Sequence, residues 1–420
     1  MSRVLIAGLS TRAASDSAVA AGFAVTAVDA FGDLDLHPSV RAVSLPRDLG
    51  VPFSADAAAR AGADCAADAV VYLANFENEP DAVRTLAAGR PLWGNPPDVL
   101  RRVRDPRLVM TAFREHGTHA PAIRLSANDP NDSNDPNGSN DPNDPNDPND
   151  PNDPNDPNDP NDPNDPNDPN DWIVKPFASG GGRGVGLWKG GRVSDDCYLQ
   201  EYVQGVAASV VFVSAGGVAV PIGVSRQLIG DAAFGADRYR YCGNILAPAG
   251  DPVFEDDEKL LDRACALASA VTTSFGLVGV NGVDFVAAGG EAHPVEVNPR
   301  WSGSMELAER AYQRSIFGMH ADACACGALP EFDLRRARRS ARAVGKAILF
   351  AREPVTMGDT RTWLADATVR DVPQPGERIA AGRPICTIFA EADDDSGCHG
   401  ALVRRAERLY SSLAAGVHLE

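Results

Sequence analysis

Between residues 278 and 300 the chain reads Val-Gly-Val-Asn-Gly-Val-Asp-Phe-Val-Ala-Ala-Gly-Gly-Glu-Ala-His-Pro-Val-Glu-Val-Asn-Pro-Arg. Two strand-like runs, Val278 to Val286 and His293 to Asn298, flank Ala-Ala-Gly-Gly-Glu, and this predicts a hairpin. Side chains alternate faces along a strand, so Glu296 and Asn298 share one face while Val295 and Val297 take the other. With the turn centred on Gly290, Asp284 falls opposite Glu296 and joins that face. Three oxygen ligands so grouped suit Mg²⁺, a hard cation that shares its coordination with phosphates and water. Taken alone, Glu296 reads equally as part of a solvated acidic strand face. Arg300, just past Pro299, is placed to meet negative charge near such a cation.

Upstream, residues 256–275 predict a helix: Leu260, Ala264, Leu267, Ala268 and Val271 form one apolar stripe. Asp256, Asp257 and Glu258 suit its positive end, and Gly276 suits C′. Further back a strand, Trp172 to Pro176, runs into a glycine run from Gly180 to Gly186, with Ser179 before it and Arg183 inside it. The apolar stretch that follows, Val185 to Trp188, is too short for a helix, so the loop joins strand to strand. It therefore differs from a P-loop, whose lysine opens a helix. Its closely spaced N–H groups would make an anion nest, or the loop is an ordinary hairpin tip. At the start of the chain, Arg3 to Gly8, Phe23 to Val28 and Ala69 to Leu73 are strand-like runs in the rhythm of parallel βαβ units. Residues 1–100 thus predict a small doubly wound domain. The Gly-x-Gly-x-x-Gly fingerprint is absent, which argues against a nicotinamide-dependent oxidoreductase.

Residues 128–171 are a near-perfect Asn-Asp-Pro array, broken only around Ser133 and Asn137-Gly-Ser139. With no apolar side chain to bury and proline at every third position, it is expected to be disordered and extended by its own charge. Passive repeat expansion is the plainest reading; a calcium-binding or adhesive role is the alternative. The array holds 14 Asp and no Lys, Arg or Glu, so of the formal charge of −19 only about −5 belongs to the rest of the 420 residues. That balance excludes a general nucleic-acid binder. No run approaches the roughly 18 apolar residues a bilayer needs, so no membrane role is expected and the chain reads as cytoplasmic. The eight Cys form no Cys-x-x-Cys pair; His320, Cys324 and Cys326 read as small residues on a helix rather than as a zinc site. The arginines from Arg335 to Arg342 read as a solvated helix face, and residues 341–420 as a small β-rich C-terminal domain ending in a helix over 401–413.

Four segments occur in order: Lys175-Pro-Phe-Ala-Ser-Gly-Gly-Gly-Arg-Gly184, Gln200-Glu-Tyr-Val-Gln-Gly205, Gly282-Val-Asp-Phe285 and Val295-Glu-Val-Asn-Pro-Arg300. In these the chain resembles the ATP-grasp superfamily over roughly residues 100–320, and its first domain is similar to the one that usually precedes an ATP-grasp domain. Asp29-Ala-Phe-Gly-Asp-Leu-Asp35, Phe76-Glu-Asn-Glu-Pro80, Arg226-Gln-Leu-Ile-Gly230 and Asp371-Val-Pro-Gln-Pro-Gly376 resemble a branch of predicted ATP-dependent carboligases. Some members of that branch are associated with tetrahydromethanopterin-linked one-carbon metabolism.

The resemblance implies an α/β domain followed by two α+β subdomains over 101–340 that clamp ATP. It also implies a carboxylate-amine ligase that works through an acyl phosphate with ATP and Mg²⁺ or Mn²⁺. By motif position, Lys175 would bind phosphates, and Ser179, Gly180, Gly181, Gly182 and Gly184 would fold over them. Glu201, Tyr202 and Val203 would hold adenine, and Asp284, Glu296 and Asn298 the metal. Arg300 would act on the transferring phosphate, with Arg226 and Asn244 nearby. Ser302, Gly303 and Ser304 would open a helix toward an anionic substrate, and Glu77 and Asn78 would follow an N-domain strand at a ligand-binding end. Arg107 stands where many members have Lys, and Val206-Ala-Ala208 fills the stretch that usually holds a ribose-binding acid. Small-molecule carboxylate and amine substrates follow from this reading; a non-catalytic ATP-binding protein and a biotin-carboxylase-like subunit are its rivals.

Overall fold

A computed structural model describes residues 1–125 and 172–415, and the Asn-Asp-Pro array lies outside the described residues. The N-terminal sheet holds β1 (Arg3–Ala7), β2 (Ala24–Asp29), β3 (Arg41–Ser44) and β4 (Ala69–Tyr72), all parallel, in the order β3-β2-β1-β4. Val4 to Ala7 and Ala69 to Tyr72 are buried, as uninterrupted apolar runs must be when helices cover a parallel sheet.

A small antiparallel sheet follows, made of β5 (Ile123–Arg124), β6 (Trp172–Pro176), β7 (Gly186–Leu187) and β8 (Cys197–Glu201), in the order β5-β8-β6-β7. The glycine run links β6 to β7, strand to strand as expected.

The third sheet is antiparallel and carries the site. Its members are β9 (Val206–Ala215), β10 (Val218–Ile229), β11 (Tyr241–Leu246), β12 (Gly279–Ala288), β13 (Glu291–Asn298) and β14 (Ala343–Phe350). Beyond β14 the chain forms β15 (Val355–Thr356), β16 (Val369–Arg370), β17 (Arg378–Ile379) and β18 (Pro384–Ala392). The sheet order is β13-β12-β9-β10-β11-β14-β18-β16, with β15 and β17 paired apart. Past residue 341, β14, β18 and β16 thus extend the central sheet, while β15 and β17 form a two-stranded sheet of their own.

One face of this sheet is covered by the helix Asp257–Phe275, whose Leu260, Ala264, Leu267 and Val271 pack with Phe212, Val283, Phe285 and Val297. Asp256 caps it by accepting from the Lys259 N–H, and Gly276 ends it at φ +68°, as the sequence predicts. On the other face, helices Gly303–Tyr312 and Ile316–Cys326 share a core with Val211, Val213 and Val280, and with Val4 and Ile6 of the first sheet. His320 belongs here: it is buried, its Nδ1 accepts from the Val280 N–H at 3.0 Å, and burial pushes its pKa down to about 4.

Two expectations need correction. Arg338 is only 1% exposed and donates to Asp257 at 2.7 Å, so the arginine run is not wholly solvated; this residue pins the start of the long helix. The last helix spans Asp395–Ala415, beginning earlier than 401, because the Asp395 N–H is held by Asp251 at 2.8 Å and its carboxylate by Arg226.

Candidate active site

A cleft of about 700 Å³ lies between the small sheet and the central sheet. Its floor is the hairpin, where Asp284 pairs in register with Glu296 and Gly282 with Asn298. The turn that fixes this register is Gly289-Gly290 at φ +58° and +70°, values a side chain would resist. Asn298 Nδ2 donates to Asp284 Oδ2 at 3.0 Å, which leaves the Asn298 carbonyl oxygen for another partner. Burial, and then the charge of Glu296, pushes the Asp284 carboxyl up to about 7. Two facing carboxylates of this kind, with an amide oxygen beside them, make the acceptor set a hard divalent cation relieves.

Arg300 follows on the same wall, and its placement comes from the N-terminal domain. Its Nε and Nη2 donate to Glu77 Oε1 at 2.8 and 2.7 Å, and its Nη1 to the Trp301 carbonyl at 3.1 Å. Glu77 is 2% exposed and its carboxyl is held below its ordinary range, with the Arg300 charge overcoming the burial cost. The backbone leading to Arg300 is anchored as well: Tyr72 Oη and Asn95 Nδ2 both donate to the Pro299 carbonyl, at 3.1 and 3.0 Å.

The roof is the glycine run. Ser179, Gly180, Gly181 and Gly182 line the cleft, and the loop tip is docked by the Tyr241 N–H, which donates to the Gly181 carbonyl at 3.1 Å. Gly182, at φ +76°, leaves no room for a side chain, because a Cβ there would run into the Tyr239 carbonyl. Beneath the loop, Lys175 is 6% exposed and its Nζ donates to Gln200 Oε1 at 2.9 Å and to the Val295 carbonyl at 3.3 Å. At the rim stand Glu201, Tyr202 and Val203; Glu201 accepts from the Ala122 N–H at 2.9 Å through one carboxylate oxygen.

The cleft thus brings together Lys175, Ser179, Gly180 to Gly182, Glu201 to Val203, Arg226, Asn244, Asp284, Glu296, Asn298, Arg300 and Ser302 to Ser304. Four expected residues fall outside it, Glu77 and Asn78 among them, which line a second cavity. Gly184 turns away, backing onto the Pro176 ring, and Arg107 opens onto the same second cavity. Arg226 lines the cleft but is already forked onto Asp395, with three contacts of 2.7 to 3.0 Å.

Sequence reasoning missed Arg104, whose Nη1 reaches Glu296 at 3.4 Å and whose Nη2 donates to the Phe177 and Ser179 carbonyls at 3.2 Å each. It thereby ties a hairpin carboxylate to the base of the glycine loop. It also missed Gln200, the partner of Lys175, and Gln227, which hydrogen-bonds the Asp284 carboxyl. The signal was present for Gln200, since it lies one residue before the expected Glu201 and so faces the other way along β8.

Among known proteins, a family model for the ATP-grasp domain matches residues 152–304. No curated protein matches the sequence. An L-amino acid ligase from Bacillus licheniformis superposes with a TM-score of 0.61 at 13% identity, covering 97% of each chain. The N5-carboxyaminoimidazole ribonucleotide synthetase from Thermus thermophilus gives 0.61 at 16% identity, over 96% of this chain and 98% of that one. A biotin carboxylase from Campylobacter jejuni, in a beta-gamma-ATP complex, gives 0.64 at 14%, over 95% and 89%. Among the described residues, no helix is long and apolar enough to cross a membrane.

Proposed function

We infer, for a chain that carries an ATP-grasp domain, an ATP- and Mg²⁺-dependent ligase that joins a small carboxylate to an amine or similar nucleophile. The observation that carries this reading is that Lys175, the glycine loop, the Asp284-Glu296-Asn298 acceptors and Arg300 line one cleft. The likeness in fold to an L-amino acid ligase and to a ribonucleotide synthetase supports it.

In this reading a carboxylate attacks the γ-phosphorus of ATP, the bond to the β-phosphate oxygen breaks, and acyl phosphate and ADP result. The nucleophile then displaces phosphate. Both steps load negative charge onto phosphoryl oxygens, so cationic and N–H donors aimed there lower the barrier. Lys175, oriented by Gln200 and Val295, binds the phosphates, and the backbone N–H groups of Ser179 to Gly182 close over them. Glu201, Tyr202 and Val203 flank the base at the rim. Arg300, held rigid by Glu77, faces the transferring group. Asp284, Glu296 and Asn298 would hold Mg²⁺ or Mn²⁺, which when bound supplies charge neutralisation at the phosphates. The acceptor set fits that ion: two carboxylates paired in register with an amide oxygen beside them, the Asp284 carboxyl raised first by burial and then by the charge of Glu296.

The test is Mg²⁺-dependent ADP formation against a panel of carboxylates and amines. Release that requires one of each, and falls roughly a thousandfold in Glu296→Ala with the fold intact, is the expected outcome. Unchanged turnover in Glu296→Ala would remove the metal assignment, and ATP binding without ADP release from any pair would favour a non-catalytic nucleotide-binding protein.

A further inference from the structure

Pro299 joins two side chains of the site, Asn298 and Arg300, yet it does not itself line the cleft. Proline has no N–H, so hydrogen bonds can fix this residue only through its carbonyl. Both donors to that carbonyl come from the first domain. Tyr72 Oη reaches it at 3.1 Å and Asn95 Nδ2 at 3.0 Å. The Arg300 side chain is gripped from the same domain, by Glu77. Backbone and guanidinium of Arg300 are therefore set by one segment, residues 72–95, which begins at the last residue of β4.

The two donors are themselves locked. Tyr72 and Asn95 are both buried. The Tyr72 hydroxyl shares its hydrogen between the Pro299 carbonyl and the Asn95 carbonyl, the latter 3.0 Å away. Asn95 spends its other Nδ2 hydrogen on Asn281 Oδ1 at 2.8 Å, and its Oδ1 accepts from the Val278 N–H at 2.9 Å. Asn281, buried on β12, continues the chain by donating to Ser214 Oγ and the Gly279 carbonyl, at 2.9 Å each. None of Tyr72, Asn95 and Asn281 lines the cleft, and among the described residues that do, none precedes Pro121. The first domain thus reaches the cleft from behind, through the chain at 299–300.

A displacement of about 1 Å in a group that meets the reacting atoms can cost about a hundredfold in rate. We propose that Tyr72, together with Asn95, is a positioning residue that holds the Pro299 carbonyl and so aims Arg300 at the transferring group. The proposal rests on the ligase reading and gives the first domain a part in it. No residue of that domain enters the cleft, yet the domain sets the arginine at the end of the hairpin wall. Losing one donor leaves the carbonyl with the other, so removal of the Tyr72 hydroxyl loosens Arg300 without taking the seam apart.

The experiment uses Tyr72→Phe in the full chain, which takes away one hydroxyl and keeps the buried ring. Its kcat should fall about tenfold while its KM for ATP stays within about twofold of the parent. In an Arg300→Ala chain the same change should alter the residual kcat by less than about twofold, because the residue it aims is gone. An equal loss in both backgrounds would make Tyr72 a structural residue and overturn the proposal, as would a shift in KM alone. A second measurement needs no turnover. The Arg300 Nε–H, buried and donating to Glu77, gives a side-chain NMR signal identified by its loss in Arg300→Lys. Hydrogen exchange there should quicken at least about threefold in Tyr72→Phe, and an unchanged rate would overturn the proposal. If the parent releases no ADP with any pair of substrates, the ligase reading fails, and the exchange rate still decides whether Tyr72 fixes Arg300.

Discussion

The floor and the roof of the cleft are built in opposite ways. The floor is a ladder of paired strands backed by a core, with Val283 and Val297 buried beneath Asp284 and Glu296. The roof is a run of glycines with no core behind it, docked at its tip by a backbone hydrogen bond from Tyr241 to Gly181. In the proposed ligase, charges that meet a transferring phosphoryl group need fixed placement, whereas a wall that admits nucleotide must be able to lift. The contrast teaches that substitutions in the two walls should fail differently.

The largest effect is expected in the floor. Phe285 is 1% exposed and sits in the core beneath the hairpin, so Phe285→Ala should cost about 3–5 kcal/mol of stability. Chemical denaturation reads this directly, and a loss below about 1 kcal/mol would show that the ladder is not what fixes the carboxylates. Next is the strut behind the floor. Glu77→Gln keeps the shape but removes the charge that holds Arg300, and should lower kcat roughly 10- to 100-fold with little change in ATP affinity. If only the KM for ATP moved, Glu77 would serve the nucleotide pocket rather than Arg300.

For the roof, Gly182→Ala puts a methyl group into the Tyr239 carbonyl at a backbone angle of φ +76°. The loop should lift, ATP affinity should fall about tenfold, and the thermal midpoint should stay near that of the parent, since no core is disturbed. A large drop in thermal midpoint would mean that the roof carries stability after all and would dissolve the contrast.

The two walls were also unequally legible. The pairing of Asp284 with Glu296 could be read from residues 278–300 because strand period and a Gly-Gly turn are local properties. The strand-to-strand glycine loop was legible for the same reason. The meeting of Arg104 with Glu296 was not, nor, although Glu77 was named, its meeting with Arg300, because each joins segments about 200 residues apart in sequence and no local period encodes that. Arg107, named from its motif position, lies outside the cleft because of a helix junction. The helix Pro97–Val103 ends at Arg104, and Pro106 holds Asp105 extended at φ −82° and ψ 112° before the next helix begins. That break turns Arg104 toward Glu296 and Arg107 toward the second cavity. The early start of the last helix was hidden likewise, since Asp395 is fixed by Asp251 and Arg226 from distant strands.

The smallest expected effect tests the floor's electrostatics alone. Burial first, and Glu296 second, hold the Asp284 carboxyl at about 7, so near neutral pH a proton must leave before a divalent cation gains that oxygen. Mg²⁺ affinity should therefore fall as pH falls, roughly twofold between pH 8 and 7 and roughly fivefold between pH 7 and 6, and level off above pH 8. The sign for stability is opposite. The folded chain keeps a proton that an unfolded aspartate, with its pKa near 3.9, gives up, so this group's contribution declines as pH rises from about 4 to about 7. Added Mg²⁺ should then raise the thermal midpoint more at pH 8 than at pH 6. Glu296→Gln removes the neighbouring charge but not the burial, so it should bring the Asp284 carboxyl part of the way down and shift both profiles toward lower pH, whatever it does to turnover. Mg²⁺ affinity independent of pH from 6 to 8 in the parent chain would place the cation elsewhere, and would leave the hairpin carboxylates as a charged wall without an ion between them.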